Sequence, residues 1–136
     1  MDLIIGLLRL LLIFIVIIIL DYIWLGIITK RFIIQEFGTL IKVNNGSIEI
    51  KLLAGLLAWF MLALGVFMFA VIPSESLLQA TILGALFGFI SYSIFDLTNL
   101  TFIADYPIKF AIIDIVWGTT LCSLAAIAGF YTMILF

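Results

Sequence analysis

The stretch from Leu10 to Arg31, LLLIFIVIIILDYIWLGIITKR, decides the fold. From Leu10 to Leu20 it carries no polar side chain, continues apolar past Asp21 to Ile28, and stops at Lys30 and Arg31. A helix needs about 20 mostly apolar residues to cross the roughly 30 Å hydrocarbon core of a bilayer, and this run has them. No basic segment precedes it, and it outruns the apolar region of a secretory signal, so it reads as a retained membrane span.

Three further stretches of this kind follow. The spans are expected near residues 10–29, 52–72, 77–99 and 110–134. Only Pro73, Ser74, Glu75 and Ser76 separate the second from the third, which forces an antiparallel helical hairpin. The continuous apolar runs lack the alternating polar residues that a barrel lumen imposes. The expected fold is all-α: one domain over 1–136, an integral membrane bundle of four transmembrane helices.

Composition agrees. Of 136 residues, 67% are hydrophobic and 10% charged, and the mean hydropathy is +1.47, far from the balance of a soluble domain. Six Lys and Arg against eight Asp and Glu give a net charge of -2, which offers nothing to a phosphate backbone and excludes nucleic acid as a natural partner. A single cysteine forms no intrachain disulfide, and the absence of histidine removes the commonest metal ligand and general base. No cofactor is implied, the metal question stays open, and an enzymatic role is disfavoured.

Between the first two spans, Ile33, Ile34, Phe37, Leu40 and Ile41 recur at helical spacing, with Arg31, Gln35, Glu36, Thr39 and Lys42 opposite. Residues 31–43 therefore read as a short amphipathic segment lying in the interface, or as a connector packed on the bundle. Asn44, Asn45 and Gly46 supply turn chemistry, and Ser47 is the expected N-cap leading into the second span. Lys30, Arg31, Lys42, Lys51 and Lys109 all fall in the loops after spans one and three, whereas the other side has Arg9. The positive-inside rule then places those loops in the cytoplasm and both termini outside.

Ionisable residues inside a span are expensive and mark functional candidates. Asp21, Asp96 and Asp114 qualify, all in the half of the membrane nearer the basic loops, and Asp105 lies in the short loop on that side. Ala80, Gly84, Gly88, Tyr92 and Asp96 recur every fourth residue with Asn99 three further on; Asp114, Gly118, Cys122 and Ala126 do the same in reverse order. The Gly84/Gly88 pair is a GxxxG, which permits close backbone approach in lipid. If the two stripes face each other, Asp96 and Asp114 meet, and then either one holds a proton or a cation lies between them. Gly65, by contrast, is expected to face lipid or a looser contact. Trp24 and Trp117 follow Asp21 and Asp114 at i+3, so each tetrapeptide places an indole beside a carboxylate; a Trp near the interface also serves simply as an anchor. Thr98 and Thr119 complete the set of supporting polar residues.

Asp21-Tyr22-Ile23-Trp24-Leu25-Gly26, Asp96-Leu97-Thr98-Asn99-Leu100, Tyr106-Pro107 and Asp114-Ile115-Val116-Trp117-Gly118-Thr119 occur in an order and spacing that resembles domain of unknown function 2177 (DUF2177), a family of predicted, mostly bacterial membrane proteins. The resemblance covers most of the chain. Phe95 stands before the aspartate of DLTN, where members often carry Tyr. The resemblance implies a four-helix protein of the bacterial cytoplasmic membrane and supplies no activity. Three functions fit the residues: a small proton- or cation-binding carrier or accessory transport protein using the carboxylates, with Asn99 and Thr98 as neutral ligands; a structural or assembly subunit, alone as a homo-oligomer or with a partner membrane protein, whose polar motif fixes helix packing; and a membrane-embedded lipid-modifying enzyme.

Overall fold

The computed structural model describes residues 3–135. In chain order they form α1 (Leu3–Ile23), α2 (Lys30–Phe37), a two-stranded hairpin of β1 (Val43–Asn44) and β2 (Ser47–Ile48), α3 (Leu52–Val66), α4 (Leu77–Phe102) and α5 (Ile108–Leu135). A π-helical segment, Trp24–Ile28, prolongs α1, and a second, Phe67–Val71, prolongs α3. Four helical stretches, Leu3–Ile28, Leu52–Val71, Leu77–Phe102 and Ile108–Leu135, are long and apolar enough to cross a membrane. The chain is a four-helix membrane bundle.

The helices run further than the expected spans, because the apolar residues before Arg9 and the residues after Asn99 remain compatible with helix beyond the hydrocarbon. Arg9 thus lies inside α1, buried, about 18 Å along the helix from Asp21. The tight connection between α3 and α4 is fixed by its polar residues. Ser74 Oγ donates to the Ala70 carbonyl at 2.6 Å, Ser76 Oγ accepts from the Gln79 N–H at 3.2 Å, and Gln79 Oε1 accepts from the Glu75 N–H at 3.0 Å. The last two are a near-reciprocal cap of the kind that starts helices.

Large side chains such as Leu53, Phe69, Leu78, Ile94 and Ile134 point outward, as a lipid-facing surface requires, while the interior is small. α4 and α5 pack most intimately. A Cβ on Gly84 would come within 2.6 Å of both the Cys122 carbonyl oxygen and the Ala126 Cβ; one on Gly88 would collide with the Gly118 carbonyl and the Cys122 Cβ. The two small-residue stripes do face each other. Gly65 does not face lipid: it is buried under the Phe87 ring, which occupies the space a side chain would need.

The apolar core, with Ile13, Ile17, Val66, Val71, Leu121 and Ala125 fully buried, fills the bundle on the side of the α3–α4 turn. At the opposite, basic end, α2 lies across the α4–α5 connection. Phe37 meets Tyr106 and Phe110 edge-on at 5.5 and 4.7 Å, and Lys109 approaches Glu36 at 3.9 Å. Part of the amphipathic segment's apolar face therefore packs on the bundle. Asn45 and Gly46, both at positive φ, turn β1 back on β2, so Ser47 is a strand residue; α3 starts at Leu52 after an extended Lys51. Ser47 is not its cap, because the Asn-Gly sequence closes a hairpin before any helix can start.

Candidate intramembrane site

Three carboxylates occupy one layer of the bundle. Asp96 and Asp114 each lie six residues in from the basic end of their helices, and Asp21 lies seven residues in from Ile28, so all three stand about 9–11 Å along the helix from that end. All are buried, Asp96 completely. Their environments differ.

Asp21 is held by indoles. Trp59 Nε1 donates to its Oδ2 and Trp117 Nε1 to its Oδ1, both at 2.7 Å, short enough for charge-assisted bonds. Trp24 stacks on Trp117 with ring centroids 4.4 Å apart and planes 6° from parallel. All three tryptophans of the chain therefore gather at one carboxylate. The indole expected beside Asp114 reaches across to Asp21 on α1, and Trp24, expected beside Asp21, stacks on the Trp117 ring. Spacing of i+3 puts two side chains on one face without requiring a bond between them, and for Trp117 the acceptor lies on a neighbouring helix.

Asp96 and Asp114 are held differently. Asp96 Oδ1 accepts from the Tyr106 hydroxyl at 2.7 Å, whereas its Oδ2 is buried with no donor. The carboxyl of Asp114 is its neighbour, within reach of sharing a proton. Tyr106 sits in the loop between α4 and α5, with Asn99 also in reach; burial first, and then the Asp96 carboxylate, hold its phenol well above the ordinary tyrosine range. It remains a donor throughout the physiological range. The ring of Tyr92 lies over Gly118, where a Cβ would clash with it, so the small stripe of α5 makes room for an aromatic of α4 beside the acids.

A cavity of about 410 Å³ opens against this layer. Asp21 of α1, Leu25 of the π-helical segment that prolongs it, and Phe110 and Asp114 of α5 contribute to its lining, as do Ala58, Trp59 and Leu62 of α3 and Ser91, Tyr92 and Phe95 of α4. α3 and α4 meet chiefly through the Phe67–Val71 segment near their turn, so they part toward the basic end. Ala58 is exposed there and Phe95 is 57% exposed, which makes the cavity a lateral cleft between α3 and α4 that faces the membrane.

Not every expected residue belongs to this site. Asp105 is exposed in the loop and Thr98 on the outer surface of α4. Thr119 donates to the Ile115 carbonyl of its own helix, the usual recourse of a mid-helix threonine. Cys122 is buried in the α4–α5 seam. Among the described residues, no three His, Cys, Asp or Glu side chains are grouped so as to hold a metal ion. Trp59 and the donor role of Tyr106 escaped the sequence reading. The available signal was an indole in mid-span, whose N–H needs an acceptor once buried.

The family model described as predicted membrane protein (DUF2177) matches residues 6–131. The chain belongs to that family. No curated protein matches it, and no solved structure does.

Proposed function

We propose that this membrane protein is a small proton-binding carrier, or the proton-binding part of a transport assembly, in which Asp96 and Asp114 share the proton. The observation that carries the reading is the adjacency of the two carboxyls, with Asp96 Oδ2 buried and lacking a donor. Two carboxylates in a low dielectric do not both stay ionised without a counter-charge, and a proton between them also supplies the missing donor. The titratable groups facing the pair are Asp21 from α1, Tyr92 from α4 and Tyr106 from the loop, none of which carries positive charge. Lys109 engages Glu36 instead. A proton suits this geometry better than a metal ion, for which too few ligands converge. With the basic loops in the cytoplasm, the pair lies in the inner half of the membrane and both termini lie outside.

Infrared difference spectroscopy tests the reading. A protonated carboxyl stretch that shifts in D₂O is expected near neutral pH, and either Asp96→Asn or Asp114→Asn abolishes it, because the proton belongs to the pair. No such band in the parent, or a band that survives both substitutions, overturns the proposal. The packing-subunit reading has its own support in the bonds by which Asp21 ties α1 to α3 and α5. It predicts no shared proton.

A further inference from the structure

We infer that the lateral cleft binds an organic ammonium cation carrying an apolar body, taken up between α3 and α4. The inference rests on the proton site proposed above, since Asp114 belongs to both. A volume of about 410 Å³ is that of a small-molecule site and far exceeds what a coordinated inorganic ion needs. Two carboxylates, Asp21 and Asp114, line the cleft and no Lys or Arg does, so its charge selects a cation. Trp59, Tyr92, Phe95 and Phe110 add aromatic rings to the same walls. Ring faces attract alkylated ammonium groups, which bind without the dense oxygen shell that a metal ion demands. Leu25 and Leu62 complete an apolar lining suited to the ligand's hydrocarbon part. An anion would meet two acidic side chains, and a neutral apolar molecule would gain nothing from either of them.

The opening faces the membrane, where such amphiphiles partition. Arrival of the cation beside Asp114 stabilises the ionised carboxylate, and the proton shared with Asp96 leaves to water. One positive charge enters and one departs, so binding and proton release are two sides of one linkage.

The test uses the full chain in nanodiscs of phosphatidylglycerol, which carries no ammonium group. All three tryptophans cluster at Asp21, so intrinsic fluorescence reports on this site. Tetrapropylammonium is expected to change it saturably and to release protons into a weakly buffered medium, whereas sodium and propanesulfonate do neither. Asp114→Asn weakens binding by about tenfold or more, a factor worth roughly 1.4 kcal/mol. Ser91→Leu fills the cleft without touching a carboxylate and weakens binding comparably, so the test survives misfolding of the Asp variant. Repeating the titration in phosphatidylcholine discs separates two sources: unchanged affinity means a free amine, and strong competition means that the lipid headgroup occupies the cleft. Tetrapropylammonium without effect in phosphatidylglycerol, equal responses to sodium or propanesulfonate, or indifference to Ser91→Leu overturns the inference. An infrared carboxyl band with no cation binding sinks this inference alone; cation binding without that band and without proton release sinks only the proton site.

Discussion

Replacing Trp59 by Phe keeps an aromatic ring in place and removes one of the two N–H donors that hold Asp21. The bond is 2.7 Å long and its acceptor is 3% exposed, so water does not replace the lost donor easily. Charge-assisted bonds contribute about 1.5–3 kcal/mol in soluble proteins. Interhelical bonds in membranes average nearer 0.6 kcal/mol with a maximum around 1.7, because the separated helices also find partners. For a short bond to a buried carboxyl, the upper part of the membrane range applies, about 1–1.7 kcal/mol. Trp117→Phe should cost more than Trp59→Phe by up to about 0.5 kcal/mol, since the smaller ring also keeps only part of the stack on Trp24. The assay is reversible unfolding in mixed micelles of rising sodium dodecyl sulfate fraction, run as a double-mutant cycle with Asp21→Leu. In the Asp21→Leu background the penalty of Trp59→Phe should fall below about 0.5 kcal/mol. The same penalty in both backgrounds would show that Trp59 contributes only its bulk, and that Asp21 is not the point at which α1, α3 and α5 are joined.

Other expectations follow from the same contacts. Gly88→Leu should destabilise the bundle by more than about 3 kcal/mol or prevent its assembly, because its Cβ would strike α5 backbone, while Gly55→Leu, with open space around it, should stay within about 0.5 kcal/mol in the same unfolding assay. Tyr106→Phe strips Asp96 of its one protein donor and should cost about 1–3 kcal/mol at neutral pH. Because the folded phenol is held above its unfolded value of about 10, its contribution is complete below that pH and declines as pH rises further, so melting of the parent should fall in strongly alkaline buffer more steeply than that of Tyr106→Phe. A cysteine at Asn45, exposed in the hairpin, should react with an impermeant thiol reagent only from the cytoplasm, and a tag after Phe136 should be reached only from outside; Cys122 is buried and contributes little background.

The bundle and the α4–α5 seam were legible because lipid leaves few choices: apolar runs of sufficient length must be helices, and four-residue steps of Gly, Ala and Cys mark where backbones come close. Gly65 shows the limit of that rule. A glycine outside an obvious stripe gives no sign of the aromatic that covers it, since Phe87 lies on another helix. That the three acids lie toward the basic end of the bundle follows from residue spacing along each helix, but that they share one layer does not. Their partners were not. Trp59 and Asp21 are separated by 38 residues and Trp117 and Asp21 by 96, so no local pattern couples them. The i+3 reading of the two Asp-Trp tetrapeptides failed because adjacency on a helix face permits a contact without requiring it, and a neighbouring helix offered the better acceptor. Turn chemistry at Asn45-Gly46 was visible, but whether it precedes a helix or closes a hairpin depends on pairing between Val43–Asn44 and Ser47–Ile48.

Depth does not distinguish the three acids, since all lie in one layer; the atoms opposite each oxygen do. Asp21 faces two indole N–H groups fixed by stacking and packing, which donate to both of its oxygens and accept no proton. Asp96 faces one phenol and one carboxyl, and only the phenol is a permanent donor. On the proposed function, a proton would complete a hydrogen-bond set between Asp96 and Asp114, whereas at Asp21 it would compete with donors already present. The cleft touches both kinds of acid, through Asp21 on one wall and Asp114 on another. It thus joins a carboxyl whose two oxygens already have protein donors to one that has another carboxyl as its neighbour. On the proposed function, occupancy of the cleft and protonation of the pair would form a single coupled equilibrium, with Asp114, which belongs to both, as the point of coupling.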